Sequence, residues 1–335
     1  MTERPTIADI ARRAGVSPGA VSFALNGRPG VSEQTRARVV EVAREMRYRP
    51  HRAARALGGA RAGIVGMVLA RDPRTLGSEH FYTQLLYGMQ DVLAARSTAV
   101  QMQFVRDTAA ELALYRDWAS EYRVDGLVLV DPLVGDPRVA VVGELRIPAV
   151  TLGPDRDDGL PGVWADDGAA MTTIVDHLTG LGHRHIAHVA GPPVYRHTAR
   201  RAAVVRGLDG GESVPTDFSD AQGAAATRAL LSRPGPPSAI IFDSDLMAAA
   251  GLGVALEMGV RVPRDLSIVS FDDSVLTRVV HPGLTSLSRD TYALGAQVAE
   301  CLLAVMADPG ARPGVRAATP ELVVRGSTAR VAHPA

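Results

Sequence analysis

The feature that most constrains the fold is a regular alternation of short apolar runs and amphipathic stretches from about residue 62 onward. The apolar runs predict buried strands, and the stretches between them carry apolar residues at helical spacing. The predicted strands are 64–69, 100–104, 126–130, 149–152, 163–165, 186–190, 239–242, 267–270 and 322–324. The predicted helices are 81–95, 109–122, 168–181, 199–208, 221–231, 246–258 and 292–306. Because the alternation occurs twice, we expect two α/β lobes, each a doubly wound parallel sheet with ligands bound at the carboxyl ends of its strands.

Capping residues predict three short helices before residue 50. Thr6 and Asp9 form a capping-box pattern at the start of the first helix. Ser17 followed by Pro18 suits the start of the second, and Ser32 caps the third. The predicted spans are 7–14, 18–25 and 33 to about 47. Two short helices joined by a glycine-containing turn, with a third packed behind them, predict an all-α helix-turn-helix head.

The charge distribution agrees with a nucleic-acid partner for this head. Residues 1–58 contain eleven arginines and five acidic residues, whereas the remainder has an equal excess of acidic residues, so the net charge of the chain is zero. A basic segment on an acidic body is typical of a polyanion-binding domain, although a charged helix face is often only solvated surface. The small residues at the start of the second predicted helix leave room for that helix to enter a major groove.

Three motifs in residues 4–58 carry a family resemblance: T-I-A-D-I-A-R-R-A-G-V-S-P-G-A-V-S-F-A-L-N-G, V-S-E-Q-T-R-A-R-V and Y-R-P-H-R-A-A-R-A-L. They resemble the head of the LacI/GalR family of bacterial regulators. The resemblance implies that 51–57 is a hinge helix, which folds on operator DNA and inserts Leu57 into the central minor groove. Such a short helix is marginal in water, and an apolar wedge kinks the duplex. The alternative interpretation of this segment is a plain alanine-rich linker.

The family resemblance implies the residues that contact operator DNA. They are Thr6, Ser17, Pro18, Gly19, Ala20, Ser22, Phe23, Asn26, Ser32, Thr35, Tyr48, His51, Ala54, Arg55 and Leu57. The sequence departs from the family pattern at Phe23, where an arginine that reads guanine is common, and at Gly19, where a long polar side chain is common. Either Phe23 contacts a thymine methyl group or it packs on the third helix and reads nothing.

The body resembles the effector domain of the same family, which is similar to periplasmic sugar-binding proteins. The matching segments are V-D-G-L (124–127), I-P-A-V (147–150), G-L-G-H-R-H-I-A-H-V-A-G-P-P (180–193), S-D-L-M-A-A-A-G (244–251), V-P-R-D-L-S-I-V-S-F-D-D (262–273), L-T-S-L (284–287) and L-V-V-R-G-S-T-A (322–329). The expected domains are a DNA-binding domain at 1–50, a hinge and linker at 51–61, and an effector-binding and dimerisation domain at 62–335. The resemblance implies discontinuous lobes, 62–162 plus 291–320 and 163–290 plus 321–330.

The resemblance also assigns an effector pocket. Arg201 matches an arginine that grips a ligand hydroxyl or carboxylate, Asp272 matches a carboxylate that accepts hydrogen bonds, and Phe218 matches a stacking aromatic. The remaining candidates are Phe81 and Tyr82 at the mouth, and Tyr195, Asp131 and Asp245. An arginine and a carboxylate flanked by aromatic rings suit a polar ring such as a sugar. The alternatives are a structural ion pair for Arg201 and Asp272 and core packing for Phe218.

Other classes of function lack their sequence signals. No apolar segment resembles a signal peptide or a membrane span, and the single cysteine, Cys301, is typical of a reducing cytoplasm. His183, His185 and His188 flank and begin a strand, which does not favour a metal site, and no nucleophile–base set or cofactor motif is present. We therefore expect a cytoplasmic protein, nucleoid-associated when bound to DNA, without catalytic residues, metal or cofactor.

The combined interpretation is a sequence-specific DNA-binding regulator, expected to be a repressor controlled by a sugar or related metabolite. A homodimer is expected, and no leucine heptads follow residue 322 that would predict a tetramerising coiled coil. Two alternatives remain open at this point. A solute receptor with an incidental helical head is disfavoured by the charge of the head, and an enzyme on a borrowed binding fold is disfavoured by the missing catalytic set.

Overall fold

The computed structural model describes residues 5–25, 28–48, 61–71, 80–153 and 159–331. The chain divides into two compact units, Met1–Ala62 and Gly63–Ala335, which we call the head and the body. Among the described residues, none of the helices is both long enough and apolar enough to cross a bilayer.

Within the described residues, the head contains the three predicted helices, α1 (Ile7–Ala14), α2 (Pro18–Leu25) and α3 (Glu33–Glu45). The Thr6 backbone N–H and side-chain hydroxyl both donate to Asp9, and the Asp9 backbone N–H donates back to the Thr6 hydroxyl, which completes the capping box. Ile10, Val21 and Val39, one from each helix, are fully buried and form the centre of the head core. The third helix ends about two residues earlier than predicted. Arg47 has a positive φ of 51°, and a right-handed helix cannot continue through that conformation.

The described residues of the body form two six-stranded sheets. The first has the order β11-β5-β4-β3-β1-β2 and the second the order β12-β10-β9-β8-β6-β7, and every pairing is parallel except that of β10 with β12. The strands are β1 (Ile64–Ala70), β2 (Ala99–Val105), β3 (Gly126–Leu129), β4 (Ala149–Gly153), β5 (Gly162–Trp164), β6 (Ile186–Ala190), β7 (Gly211–Pro215), β8 (Ala239–Phe242), β9 (Ser267–Ser270), β10 (Thr285–Ser288), β11 (Gly314–Arg316) and β12 (Glu321–Val323). The structure therefore confirms the predicted class, a helix-turn-helix head with a two-lobed α/β body.

Helices cover the sheets. They are α4 (His80–Ala94), α5 (Thr108–Ser120), α6 (Pro137–Leu145), α7 (Asp167–Gly180), α8 (Arg196–Arg206), α9 (Asp220–Leu231), α10 (Asp245–Glu257), α11 (Val275–Val279) and α12 (Thr291–Ala307). The first lobe is the β1-containing sheet with α4, α5, α6 and α12, and the second lobe is the β6-containing sheet with α7 to α11.

Sequence analysis missed three strands and two helices, β7, β10, β11, α6 and α11. The missed strand β10 is buried although it reads Thr-Ser-Leu-Ser, because its hydroxyls bond within the protein: Thr285 with Thr328, and Ser286 with Asp273. The strands β7 and β11 lie at sheet edges and are partly exposed, so neither has an apolar run. Apolar runs identify only strands that are buried by apolar side chains.

The boundary between the lobes was predicted a few residues too early. The strand expected at 163–165 was assigned to the second lobe, but β5 pairs with β4 and β11 in the first sheet. The correction follows from hydrogen bonding between strands distant in sequence, which a single apolar run does not reveal. The chain then crosses between lobes three times, after β5, after β10 and between β11 and β12. These crossings place the carboxyl ends of both sheets around one cleft.

Two glycines set the distance between α4 and α12. A β-carbon on Gly88 would lie 1.9 Å from the carbonyl oxygen of Tyr292, and one on Gly295 would lie 2.0 Å from that of Leu85. Both obstacles are backbone atoms, so neither can rotate away. We predict that Gly88→Ala lowers the free energy of unfolding by about 3 kcal/mol, because the two helices must separate.

Urea unfolding of the full chain, followed by circular dichroism, measures this effect. The control is Gly253→Ala in α10, where a β-carbon meets no atom within 4 Å. That variant should gain up to about 1 kcal/mol from helix propensity. Equal midpoints for the two variants would contradict the close packing of α4 against α12.

Candidate functional site

The start of α2 presents a small and exposed surface on the head. Ser17, Pro18 and Gly19 are exposed, while Ala20 and Ser22 are half-buried. The Ala20 backbone N–H donates to the Ser17 hydroxyl at 3.2 Å, so the Ser17 side chain caps the start of α2. No bulky side chain in this stretch limits the approach of a partner, which is the geometry that a groove-binding helix requires.

Four other predicted DNA-contact residues lie at the start of α1 and at the two ends of α3. Thr6 and Ser32 are exposed helix caps, Thr35 is half-buried in the first turn of α3, and Tyr48 packs against the head core. Asn26, His51, Ala54, Arg55 and Leu57 lie outside the described residues.

Phe23 is 40% exposed on α2, so it is not a core residue, although its ring lies close enough to Gly30 that a β-carbon there would be 3.1 Å away. Sequence reasoning missed Arg36 of α3, whose guanidinium donates to the carbonyl of Ala24 at 3.0 Å and to that of Arg28 at 2.9 Å. Arg36 thus satisfies carbonyl groups at the end of α2.

The carboxyl ends of the strands of both lobes surround one cleft in the body. Six aspartates, three arginines, two histidines and several aromatic and small residues line it: Arg71, His80, Phe81, Tyr82, Asp131, Asp167, His197, Arg201, Phe218, Asp243, Ser244, Asp245, Asp272, Asp273, Ser274, Arg289 and Thr291, with Val130, Pro132, Leu152, Gly153, Ala165 and Leu294. Seven of the eight predicted effector residues are in this set. Tyr195 lines an adjoining pocket with Phe218 and Arg71 instead.

Arg201 is buried in the cleft between two carboxylates. Its guanidinium donates to Asp167 at 2.7 Å and to Asp243 at 3.2 Å, and it stacks on the Phe271 ring at 3.5 Å. Asp243 also contacts the His188 ring at 3.0 Å and accepts from the Gly191 backbone N–H. Sequence reasoning left open whether Arg201 grips a ligand or forms a structural ion pair, and the geometry shows that its charge is already neutralised within the protein.

The pKa values in this network follow from the pairing. Burial raises the pKa of Asp243, but the His188 ring and the Arg201 guanidinium lower it more, so its pKa lies well below the usual range. Burial likewise raises the pKa of Asp167, and Arg201 and Arg289 reverse that effect. Both carboxylates are therefore ionised at neutral pH and compensated by Arg201.

Asp272 and Arg289 follow the neighbouring strands β9 and β10 of the second lobe and form only a loose ion pair. Their nearest charged atoms are 3.7 Å apart, and the buried Nε and Nη2 of Arg289 have no hydrogen-bond partner within the described part of the chain. Burial raises the pKa of Asp272, and neighbouring Asp245 adds to the effect, while Arg289 and Arg201 offset it only in part. This pair is the part of the cleft whose polar groups are least satisfied, so it is suited to ligand hydroxyl groups.

An aromatic group lies at the other side of the cleft. The rings of Tyr195 and His197 stack with centroids 5.5 Å apart, and each lies 6.3 Å from the Phe218 ring. Burial and the charge of Arg201 lower the pKa of His197 to about 4, so the ring is neutral at pH 7. Arg71, at the end of β1, forms an ion pair of 2.8 Å with Asp131, which also accepts from the Tyr82 hydroxyl.

Sequence reasoning missed Arg71, Asp167, His197, Asp243 and Arg289 as cleft residues. Asp243 directly follows a predicted strand, and Arg71 and Asp167 lie two residues beyond the end of one, which was the available signal, since the carboxyl ends of parallel strands converge. The rejected histidine cluster has other partners: the His183 ring contacts Ser238 and the Ala329 carbonyl, and the His188 ring contacts Asp243 and Ser213.

Comparison with known proteins identifies both units. Residues 6–51 match the model of bacterial regulatory proteins of the lacI family, and residues 175–328 match a periplasmic binding protein-like domain. The transcriptional regulator CelR of Thermobifida fusca is 33% identical over 316 residues, which cover 90% of this chain and 91% of the relative. The regulator reg1 of Streptomyces lividans is 33% identical over 348 residues, covering 98% and 97% of the two chains.

Solved structures agree. A CelR–cellobiose complex is 28% identical, with a TM-score of 0.73, and the match covers 97% of this chain and 100% of that one. The lac repressor dimer bound to operator and the anti-inducer ONPF shares the fold, with a TM-score of 0.80 at 24% identity, over 98% of this chain and 100% of that one.

A helix-turn-helix head combined with a two-lobed binding-protein-like body defines the class of DNA-binding transcriptional regulators with an effector domain. This chain belongs to the LacI family of bacterial regulatory proteins. The expected fold and the expected regulatory function are both confirmed by these matches.

The buried Arg201 network makes a stability prediction. We predict that Arg201→Met lowers the free energy of unfolding of the body by about 3–5 kcal/mol, because Asp167 and Asp243 would remain buried without a cation. Urea denaturation at pH 7 measures the change. The control is Arg206→Met, on an exposed position of the same helix, which should change stability by less than about 0.5 kcal/mol. Similar losses in both variants would show that the network is not what stabilises this region.

Proposed function

We propose that this regulator is a repressor whose operator affinity is controlled by an uncharged, polyhydroxylated effector, a sugar or a closely related metabolite, bound in the cleft. The observation that carries the proposal is Arg289, whose buried Nε and Nη2 lack hydrogen-bond partners among the described residues and whose nearest contact with Asp272 is a loose one of 3.7 Å. Ligand hydroxyls both donate to carboxylates and accept from guanidinium groups, so they complement this pair.

The charge of the cleft favours a neutral ligand over an anionic one. Six aspartates and three arginines line it, and Arg71 and Arg201 already form close ion pairs with aspartates. A phosphate or carboxylate on the ligand would meet Asp245 and Asp272 with only Arg289 to offset them, which is a repulsive arrangement. The cellobiose found in the related CelR complex is a neutral sugar, which supports this choice.

The expected pocket residues enter the proposal in different roles. Asp272 and Asp245 accept hydrogen bonds from the ligand, and Phe218 and Phe81 provide apolar faces for the ring. Arg201 orients Asp167 and Asp243, and its guanidinium is not free to contact the ligand. At the mouth of the cleft, Asp131 forms an ion pair with Arg71, and the rings of Tyr82 and Tyr195 pack against its guanidinium. In this assignment the body has no catalytic function, metal or cofactor.

On the DNA side, the proposal uses the exposed start of α2. A homodimer places two such helices in successive major grooves, so the operator is a palindrome. The segment 51–57 serves as the hinge, with Leu57 as the wedge and His51, Ala54 and Arg55 beside it. The proposed location is the cytoplasm, where the regulator meets both its DNA and its metabolite.

Communication between the two sites follows from the crossings between lobes. An effector that binds one arrangement of the lobes more tightly than the other shifts their equilibrium by that difference in affinity. The shift changes the spacing of the two hinge segments in the dimer and so the fraction of molecules able to grip the operator.

Phe23 is proposed to contact a base edge through its ring. We predict that Phe23→Arg changes the sequence selected from random duplexes at one position of each half-site, towards guanine, because arginine donates two hydrogen bonds to that base. Binding selection followed by sequencing measures the change. The control is Val40→Arg, which adds the same charge at an exposed position of α3. Unchanged selection by Phe23→Arg would place this residue outside the base-reading surface.

The effector assignment predicts which sugars bind. At a concentration about 100 times Kd, an uncharged mono- or disaccharide should stabilise the protein by about 2.7 kcal/mol, visible as a rise in Tm of several degrees. Its phosphorylated counterpart should give no rise. Asp272→Asn should remove most of the effect, since a carboxylate acceptor is lost, whereas Asp176→Asn on the exposed face of α7 should not. Stabilisation by the phosphorylated sugars alone would contradict a neutral effector.

A further inference from the structure

We propose that Arg71 is a latch that joins the two lobes. Its guanidinium fills an aromatic cage built from both lobes, holds the cleft closed when no effector is bound, and must leave the Phe218 ring when an effector ring stacks there. The inference goes beyond the proposed function, because it concerns the protein without effector and without DNA.

The cage surrounds Arg71 on three sides. Its guanidinium carbon lies 5.5 Å from the centroid of the Tyr82 ring, 5.0 Å from that of Tyr195 and 4.7 Å from that of Phe218. Tyr82 belongs to the first lobe, whereas Tyr195 and Phe218 belong to the second. Asp131 of the first lobe holds the guanidinium at 2.8 Å, and the Arg71 side chain is only 9% exposed. A cation in this position attracts the faces of all three rings.

Main-chain contacts between the lobes lie beside the cage. The Val134 backbone N–H donates to the Val194 carbonyl at 2.9 Å, and the Arg196 backbone N–H donates to the Pro132 carbonyl at 2.9 Å. These bonds join the loop after β3 to the loop before α8, so they break when the lobes separate. Their protection from solvent therefore reports whether the cleft is closed.

The chemistry of the cage explains why Arg71 acts as a latch and not only as a surface ion pair. A desolvated cation that contacts several aromatic faces is stabilised much more than an exposed ion pair is. Asp131, the carboxylate partner of Arg71, lies on the same side of the cleft as β1, the strand that Arg71 follows. The attraction that crosses the cleft is thus between the guanidinium and the rings of Tyr195 and Phe218. The same Phe218 face lines the effector cleft, so a ligand ring and Arg71 compete for it.

The competition has a regulatory consequence. The free energy of withdrawing Arg71 from the cage reduces the apparent affinity for the effector, so the latch raises the concentration at which the regulator responds. Ligands too small or too polar to cover Phe218 do not displace the guanidinium. Arg71 therefore acts as a specificity residue for ring size as well as a closing contact.

Hydrogen exchange of the effector-free full chain tests the latch. We expect Arg71→Ala to speed exchange of the Val134 and Arg196 amides by about tenfold, the effect of losing a desolvated cation–π contact. Exchange in the central strands β3 and β8 should not change. Arg116→Ala, on an exposed position of α5, is the control. Unchanged exchange at both amides would overturn the proposal.

A second variant and a small cation make the test independent of any folding defect. Phe218→Leu keeps Arg71 and removes one face of the cage, so it should accelerate the same two amides by a smaller factor. Millimolar ethylguanidinium should slow them again in Arg71→Ala, whereas its neutral analogue ethylurea should not. Slowing by both compounds, or by neither, would show that the cage does not bind a cation. Neither readout involves operator or effector, so failure here leaves the proposed function untouched.

Discussion

The body depends on one buried guanidinium. Arg201 neutralises Asp167 at the start of α7 and Asp243 after β8, and these two carboxylates stand where separate elements reach the cleft. Buried like charges repel one another, so the strand ends can converge only around a shared cation. Because Arg201 is occupied in this way, the proposed function assigns ligand recognition to Asp272, Asp245 and Arg289, of which Arg289 has buried nitrogen atoms without a hydrogen-bond partner among the described residues.

Much of this architecture could be predicted from the sequence because its signals are local. The caps at Thr6, Ser17 and Ser32 predicted the head helices to within two residues, and apolar runs predicted the strands that apolar side chains bury. The missed strands are those stabilised in other ways: β10 by hydroxyl and carboxylate hydrogen bonds, and β7 and β11 at sheet edges. Local pattern does not report pairing between distant segments, which is also why β5 was assigned to the wrong lobe.

The same distinction applies to the cleft. The family resemblance assigned Arg201, Phe218 and Asp272 to one pocket, so their proximity was predicted. Their partners were not, since Arg71 and Asp131 are 60 positions apart in the chain and meet only through sheet order. The physical outcome is a cleft with two parts, an aromatic part filled by the chain's own arginine and a polar part open to hydroxyl groups. In the proposed latch, the Arg71 guanidinium and the ring of the effector compete for the same face of Phe218.

The central claim is that occupancy of the cleft sets affinity for DNA. The direct measurement is the anisotropy-derived Kd of the full chain for its selected operator duplex, with and without a saturating neutral sugar that stabilises the protein. The account predicts a change of about tenfold in the wild type, within the usual range of coupling between sites, and almost none in Asp272→Asn. An operator Kd that is the same with and without that sugar in the wild type would contradict it.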